Sequence, residues 1–213
     1  MLAITNLSFS FQHRRLFDRL SLTANSGELI HISGPNGVGK STFMAVVAGL
    51  LAPASGDIEY RIGHQSVPDR RAYLEYLPAE ANGLYIKMDA TQNLLFWAHL
   101  RGVPLSREAA FAALDPWNLN HPLLRDGFPV EKFSTGMKRR LALARLDLSP
   151  VPGWLLDEPL YGLDADAMRV FRQRLETHLR KGGFALLISH DLAPLNGLIT
   201  RTINLSRGVK HDG

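Results

Sequence analysis

The chain has 213 residues, 46% of them hydrophobic and 21% charged, and no cysteine. That length allows one α/β domain, or one core with a subdomain. The lack of cysteine excludes disulfides, thiolate catalysis and thiolate metal sites, and it fits a reducing compartment. The net charge of +4 comes from scattered Lys and Arg with only short clusters such as Lys138-Arg139-Arg140, which reads as a solvated or docking face and not as a nucleic-acid surface.

The longest apolar stretch, near residues 43–54, is too short to span a bilayer and is broken by glycine and proline. The N-terminus lacks the charged-then-apolar layout of a secretory signal, so a cytoplasmic location is expected. Residues 2–11 alternate like a half-buried strand, residues 16–24 read as a second, and Asn25-Ser26-Gly27 as a turn. An apolar strand, Leu29-Ile30-His31-Ile32-Ser33, then leads into Gly34-Pro35-Asn36-Gly37-Val38-Gly39-Lys40-Ser41, a complete GxxxxGK[ST] phosphate loop, and Thr42 opens a helix-compatible run to Gly49. In that context the glycines let backbone N–H groups wrap around phosphate. Lys40 supplies a point charge for the β- and γ-phosphates, and the Ser41 hydroxyl can ligate Mg²⁺. A nucleoside triphosphate is the expected ligand.

Ser55-Gly56-Asp57 is a further turn before a strand at 58–62, so a small β-subdomain is expected beside the nucleotide core. From about 81 to 149 the pattern is mainly helical, with helices near 91–100 and 106–114 separated by Gly102-Val103-Pro104. Phe133-Ser134-Thr135-Gly136-Met137 is a small polar turn feeding the helical segment 138–145. By itself it is an N-cap, and with serine and glycine at a helix N-terminus it can also be a second anion site. Gly153-Trp154-Leu155-Leu156-Asp157 reads as a buried strand that presents Asp157 and Glu158 at a sheet edge. There Asp157 can bind Mg²⁺ and Glu158 can polarise a water for in-line attack on the γ-phosphate. A helix near 165–181, a strand at 184–189 and a last strand near 200–205 follow, with a frayed tail at Arg207–Gly213. Strands alternating with helices imply a mainly parallel sheet with the site at its carboxyl edge.

These motifs, in this order, resemble the ATP-binding subunit of an ABC transporter over nearly the whole chain. Gly34–Ser41 matches that family's Walker A, Trp154–Glu158 its Walker B and Phe133–Met137 its LSGGQ signature. Tyr161-Gly162-Leu163-Asp164 matches its D-loop, and His190 after an apolar strand its switch histidine. Phe11 stands where the family places an aromatic on adenine. Alone, Phe11 and His190 would read as a core aromatic and a surface histidine. The resemblance implies a single ABC domain over residues 1–213: a P-loop NTPase (RecA-like) core with a mainly parallel sheet, an antiparallel β-subdomain and a helical subdomain inserted at about 81–149.

It also implies that two such domains meet head to tail, as a homodimer. Lys40, Ser41, Asp157, Glu158 and His190 would then act on one ATP, with Ser134, Gly136 and Asp164 serving the ATP across the interface. The transport path must belong to separate polytopic membrane subunits, which places this chain peripherally at the cytoplasmic face of the inner membrane. The short helical subdomain and the stretch 93–102 resemble the ATPase subunit of the haem exporter of cytochrome c maturation, and small ABC-2-type exporters share these features.

Three departures stand out. Thr135 and Met137 replace the Gly and Gln of the signature. Tyr161 replaces a small D-loop residue. The Q-loop reads Tyr76-Leu77-Pro78-Ala79, with the glutamine equivalent at Ala79 or, counting back from Gln92, at Glu80, whose carboxylate could reach Mg²⁺ or the attacking water. These changes keep a second reading in view, an ATP-binding regulatory or assembly module with little hydrolysis. DNA-repair members, with long insertions between the two Walker motifs, and translation members, with two nucleotide domains in one chain, fit 213 residues with one motif set poorly.

Overall fold

The computed structural model describes residues 1–12, 14–63, 65–69, 72–80, 83–121, 124 and 127–205. The tail expected at Arg207–Gly213 lies outside the described residues. The chain divides into two compact units, one made of Met1–Tyr76, Val151–Glu158 and Thr177–Gly213, the other of Leu77–Pro150 and Pro159–Glu176.

The first unit holds two sheets. Strands β1 (Leu2–Phe11), β2 (Arg14–Ala24), β4 (Ser55–Ile62) and β5 (Gln65–Ser66) form an antiparallel sheet in the order β2-β1-β4-β5. The other sheet has the order β6-β7-β8-β3-β9, with β3 (Leu29–Ser33), β6 (Leu74–Leu77), β7 (Gly153–Asp157), β8 (Phe184–Ile188) and β9 (Arg201–Asn204). The pairs β7–β8, β8–β3 and β3–β9 run parallel. Both Gly153-Trp154-Leu155-Leu156-Asp157 and Phe184-Ala185-Leu186-Leu187-Ile188 are buried at every position, as continuous apolar runs must be when both faces of a parallel sheet are covered.

Helix α1 (Lys40–Val47) follows β3 and buries Phe43, Met44, Val46 and Val47. Aromatic rings tie it to both sheets. Phe17 of β2 stacks on Phe9 and meets Phe43 edge-on, with ring centroids 6.0 and 5.8 Å apart. The Tyr60 hydroxyl donates to the Val47 carbonyl at 2.6 Å, and Tyr60, Tyr73 and Phe184 continue the row toward β8. The helix that begins at the phosphate loop is therefore held at both ends by the core.

The second unit is helical. It contains α2 (Ala90–Leu100), α3 (Arg107–Ala112), α4 (Thr135–Ala144) and most of α5 (Ala165–Arg180). Asp89 opens α2 with a reciprocal capping box to Gln92, and Ser106 caps α3 as its sequence suggests. Among the described residues, no helix is long and apolar enough to cross a membrane.

Strand limits agree closely with the sequence expectation at β1, β7 and β8. Strand β6 goes beyond the sequence expectation, in which Tyr76 and Leu77 belong to the loop motif at 76–79 and Leu74 and Glu75 to no element. Four residues without alternation carry no periodic signal, although Leu74 and Leu77 are both buried.

Beneath β7, the His178 ring stacks on Trp154 with centroids 3.9 Å apart, and its Nε2 lies 3.1 Å from the Phe184 carbonyl. Burial pushes the His178 pKa below its ordinary 6.5, outweighing the hydrogen bonds that favour the cation. The unfolded chain therefore takes up this proton first as the pH falls, and stability is lost below about pH 6.5. His178→Gln is expected to flatten that acid loss, read as the slope of urea midpoints against pH. An unchanged slope would show that His178 does not carry it.

Candidate functional site

Three adjacent strands bring chemistry to one edge of the parallel sheet. β3 runs into the glycine-rich loop, β7 ends at Asp157 with Glu158 beyond it, and β8 ends just before Ser189 and His190. Because β8 pairs with both β3 and β7, the three carboxyl ends are neighbours.

In the loop, Gly34, Gly37 and Gly39 have φ of 140, 71 and 110°. A Cβ on Gly34 would lie 2.4 Å from the Leu205 carbonyl oxygen, so only glycine lets the chain pass there. Gly39 caps α1 without any side-chain hydrogen bond, which leaves the first N–H donors of the helix available to an anion. Pro35, Asn36 and Gly37 are exposed, Val38 is buried beneath them, and Ser41 and Thr42 lie on the first helical turn. The Lys40 ammonium donates to the Gly34 and Pro35 carbonyls at 2.8 and 3.3 Å. Arg14, which sequence reasoning passed over, reaches the Gly37 carbonyl at 3.4 Å. Across the hairpin from Arg14 stands Phe11, 63% exposed. A phenyl ring left that far in water is available for stacking.

Asp157 is 2% exposed. The nearby Tyr76 hydroxyl is pushed up to about 12, first by its own burial and then by the charge of Asp157. Glu158 has φ 48°, a left-handed backbone unusual for a side chain of this kind, and its N–H donates to the Ile188 carbonyl at 2.9 Å. Such a conformation costs on the order of 1 kcal/mol and persists only where neighbours enforce it. Here the neighbours are the Ile188 carbonyl and the segment after β8: the His190 backbone N–H donates to Glu158 Oε2 at 3.3 Å, and His190 Nε2 lies 3.4 Å from Oε1.

The described residues contain no group of three or more His, Cys, Asp or Glu side chains able to hold a metal. Ser41 and Asp157, both in the first unit, offer hard oxygen donors. A hard divalent cation there would complete its shell with phosphate and water oxygens, which suits Mg²⁺ bound together with a nucleotide.

The second unit groups the other sequence-selected residues. Ser134 caps α4, its Oγ accepting from the Met137 N–H at 3.2 Å. A Cβ on Gly136 would lie 2.7 Å from the Gly162 carbonyl oxygen, so the start of α4 abuts the turn before α5. Asp164 caps α5 through the Ala167 N–H at 2.8 Å and faces Arg140 at 3.9 Å. The triplet at 138–140 is not the solvated face expected from its charge. Arg139 is buried and donates to the Pro78 carbonyl at 3.2 Å and to the Ala79 carbonyl, and Arg140 donates to the Trp117 carbonyl. Glu80 is exposed, and residues 81 and 82 lie outside the described residues.

A family model described as "ABC transporter" matches residues 17–161. The chain is 37% identical over 199 residues to "Cytochrome c biogenesis ATP-binding export protein CcmA" of Cupriavidus necator, covering 91% of this chain and 85% of that protein. The protein of the same name from Methylococcus capsulatus is 38% identical over 197 residues, covering 91% and 92%. A solved structure of the "ATP binding subunit of ABC transporter" superposes with TM-score 0.84 at 26% identity, over 98% of this chain and 87% of that one. A dimeric ATP-binding cassette bound to ADP and Pi, 22% identical, shares the fold with TM-score 0.81 over 98% and 95%.

The loop geometry makes a graded prediction. Gly34→Ala meets the Leu205 carbonyl, whereas nothing lies within 4 Å of a Cβ on Gly37. Gly37→Ala is expected to cost about 1 kcal/mol from backbone strain, and Gly34→Ala at least about twice that. In thermal unfolding the Gly34 variant should therefore melt several degrees below the Gly37 variant. Equal midpoints would contradict this packing.

Proposed function

The chain belongs to the ABC transporter ATP-binding family, with the fold of an ABC ATPase, and from that premise we propose that it hydrolyses ATP to power an export complex whose membrane path is built by other subunits. The observation that carries the reading is Glu158, held in a strained backbone by His190 at the edge where the phosphate loop begins.

In this reading Phe11 stacks on adenine. The N–H groups of Gly34, Pro35, Asn36, Gly37, Val38, Gly39, Lys40, Ser41 and Thr42 line the phosphates, with proline contributing none. Lys40 exchanges its loop carbonyls for β- and γ-phosphate oxygens. Ser41 and Asp157 would hold Mg²⁺ through hard oxygen donors, and the ion would supply positive charge against the phosphates. Glu158 accepts a proton as a water oxygen bonds to the γ-phosphorus. The bond from that phosphorus to the bridging oxygen breaks, and its electron pair leaves on ADP. His190 keeps the carboxylate aimed.

Ser134, Gly136 and Asp164 fit a role toward the ATP of a second copy, in a head-to-tail pair that closes on ATP and reopens after hydrolysis. The α4 N-terminus, with its serine cap, supplies the anion-binding chemistry that this role needs. The names of the relatives, which tie export to cytochrome c biogenesis, support haem as the cargo. The same reading puts the chain at the cytoplasmic face of the inner membrane, beside polytopic partners.

Glu158→Gln is expected to lower steady-state ATP turnover about a hundredfold or more while leaving Mg²⁺–ATP binding intact. Turnover equal to that of the unaltered protein would remove Glu158 as the base and favour a regulatory module. Affinity purification from gently solubilised membranes should recover polytopic subunits with this chain. Recovery from the soluble fraction alone would contradict the transport assignment.

A further inference from the structure

His31 lies in β3, two residues before the strand ends at Ser33, and is 9% exposed. Its backbone is paired with Leu187 of β8 on one side and Thr202 of β9 on the other. The β3–β8 pairing ends at His31↔Leu187. The imidazole reaches past that point, with Nε2 3.3 Å from the carbonyl oxygen of Ser189. A carbonyl only accepts hydrogen bonds, so Nε2 carries the proton. Burial holds the ring below its usual pKa, which favours a neutral imidazole in this single tautomer.

The Ser189 carbonyl belongs to the same planar peptide as the His190 N–H. That N–H donates to Glu158 Oε2 at 3.3 Å. A hydrogen bond on one side of the peptide therefore fixes the direction of the donor on the other. On its far side, the Ser189 hydroxyl donates to the Asp191 carbonyl at 2.9 Å, so this turn is held from within as well. Glu158, Lys40 and His190 are all close enough to His31 for their charges to act on its ring. The neutral ring adds no charge of its own at this crowded edge.

We propose that His31 is a positioning residue for ATP hydrolysis, aiming the His190 N–H at the Glu158 carboxylate through the Ser189–His190 peptide. The inference rests on the reading of Glu158 as the base. It assigns His31 no contact with ATP, so its removal acts on turnover and not on nucleotide binding. His31→Leu removes the donor and keeps an apolar volume. His31→Gln restores a donor to a side chain of similar reach.

The experiment measures steady-state Mg²⁺–ATP turnover of the purified protein, together with binding of a fluorescent ATP analogue and the melting temperature. His31→Leu is expected to lower kcat about five- to tenfold, the worth of one buried hydrogen bond, with KM and analogue affinity unchanged. His31→Gln should recover kcat to within about twofold. In a Glu158→Gln background, His31→Leu should have no further effect, because its influence runs through that carboxylate. The proposal is overturned if His31→Leu keeps full turnover or mainly raises KM. It is also overturned if a well-folded His31→Gln is as slow as His31→Leu, or if the Leu substitution still costs its full factor without Glu158. The two readings separate cleanly: full turnover in Glu158→Gln sinks the base assignment and this proposal with it. A slow Glu158→Gln beside a fully active His31→Leu sinks only the positioning role.

Discussion

The parallel pairing of β8 with β3 on one side and β7 on the other is the constraint on which the site depends. Register along these ladders sets Leu156 beside Leu187 and Leu187 beside His31. A slip of one residue on either ladder would exchange the two faces of a strand and carry its terminal chemistry away from its neighbours. The apolar runs of β7 and β8 resist such a slip because both of their faces are buried. The same burial that stabilises the sheet therefore fixes where a phosphate loop, two carboxylates and a histidine end up.

Hydrophobic packing alone does not aim a carboxylate, and at this edge the backbone does so. Glu158 adopts a left-handed conformation, its own N–H satisfied by Ile188 and its carboxylate met by His190. The strain is of the order of a single hydrogen bond, so the bonds made by Ile188 and His190 are sufficient to hold it. At the start of α1, Lys40 bonds to the carbonyls of the loop that follows β3. Those bonds keep the ammonium satisfied within the loop.

Much of this was legible in the sequence, because the informative residues are punctuated by glycine and by runs of fixed length. Gly34 to Ser41 and the apolar run ending at Asp157 announce a loop and a strand end with no help from tertiary structure. Strand β6 was not legible, since four residues carry no period. Arg139 was misjudged for a different reason. Charge in a sequence suggests solvent, but a guanidinium can be buried where backbone carbonyls accept from it, as those of Pro78 and Ala79 do. His31 looked like an ordinary member of an apolar strand. Its importance arises only when β8, far away in sequence, delivers the Ser189 carbonyl to its ring.

The second unit follows the same logic with smaller parts. Glycine at 136 lets the first turn of α4 lie against the Gly162 carbonyl in the turn before α5, 2.7 Å from where a Cβ would stand. Asp164 then serves two elements at once, capping α5 through Ala167 and facing Arg140 of α4. Arg140 is itself anchored to the Trp117 carbonyl, so it gives α4 a fixed cation opposite that cap. The 3.9 Å separation from a largely exposed Asp164 makes the ion pair weak by itself. The glycine contact is steric and does not weaken with salt. The close approach of the two turns therefore rests on the missing Cβ of Gly136, and the charges only bias it.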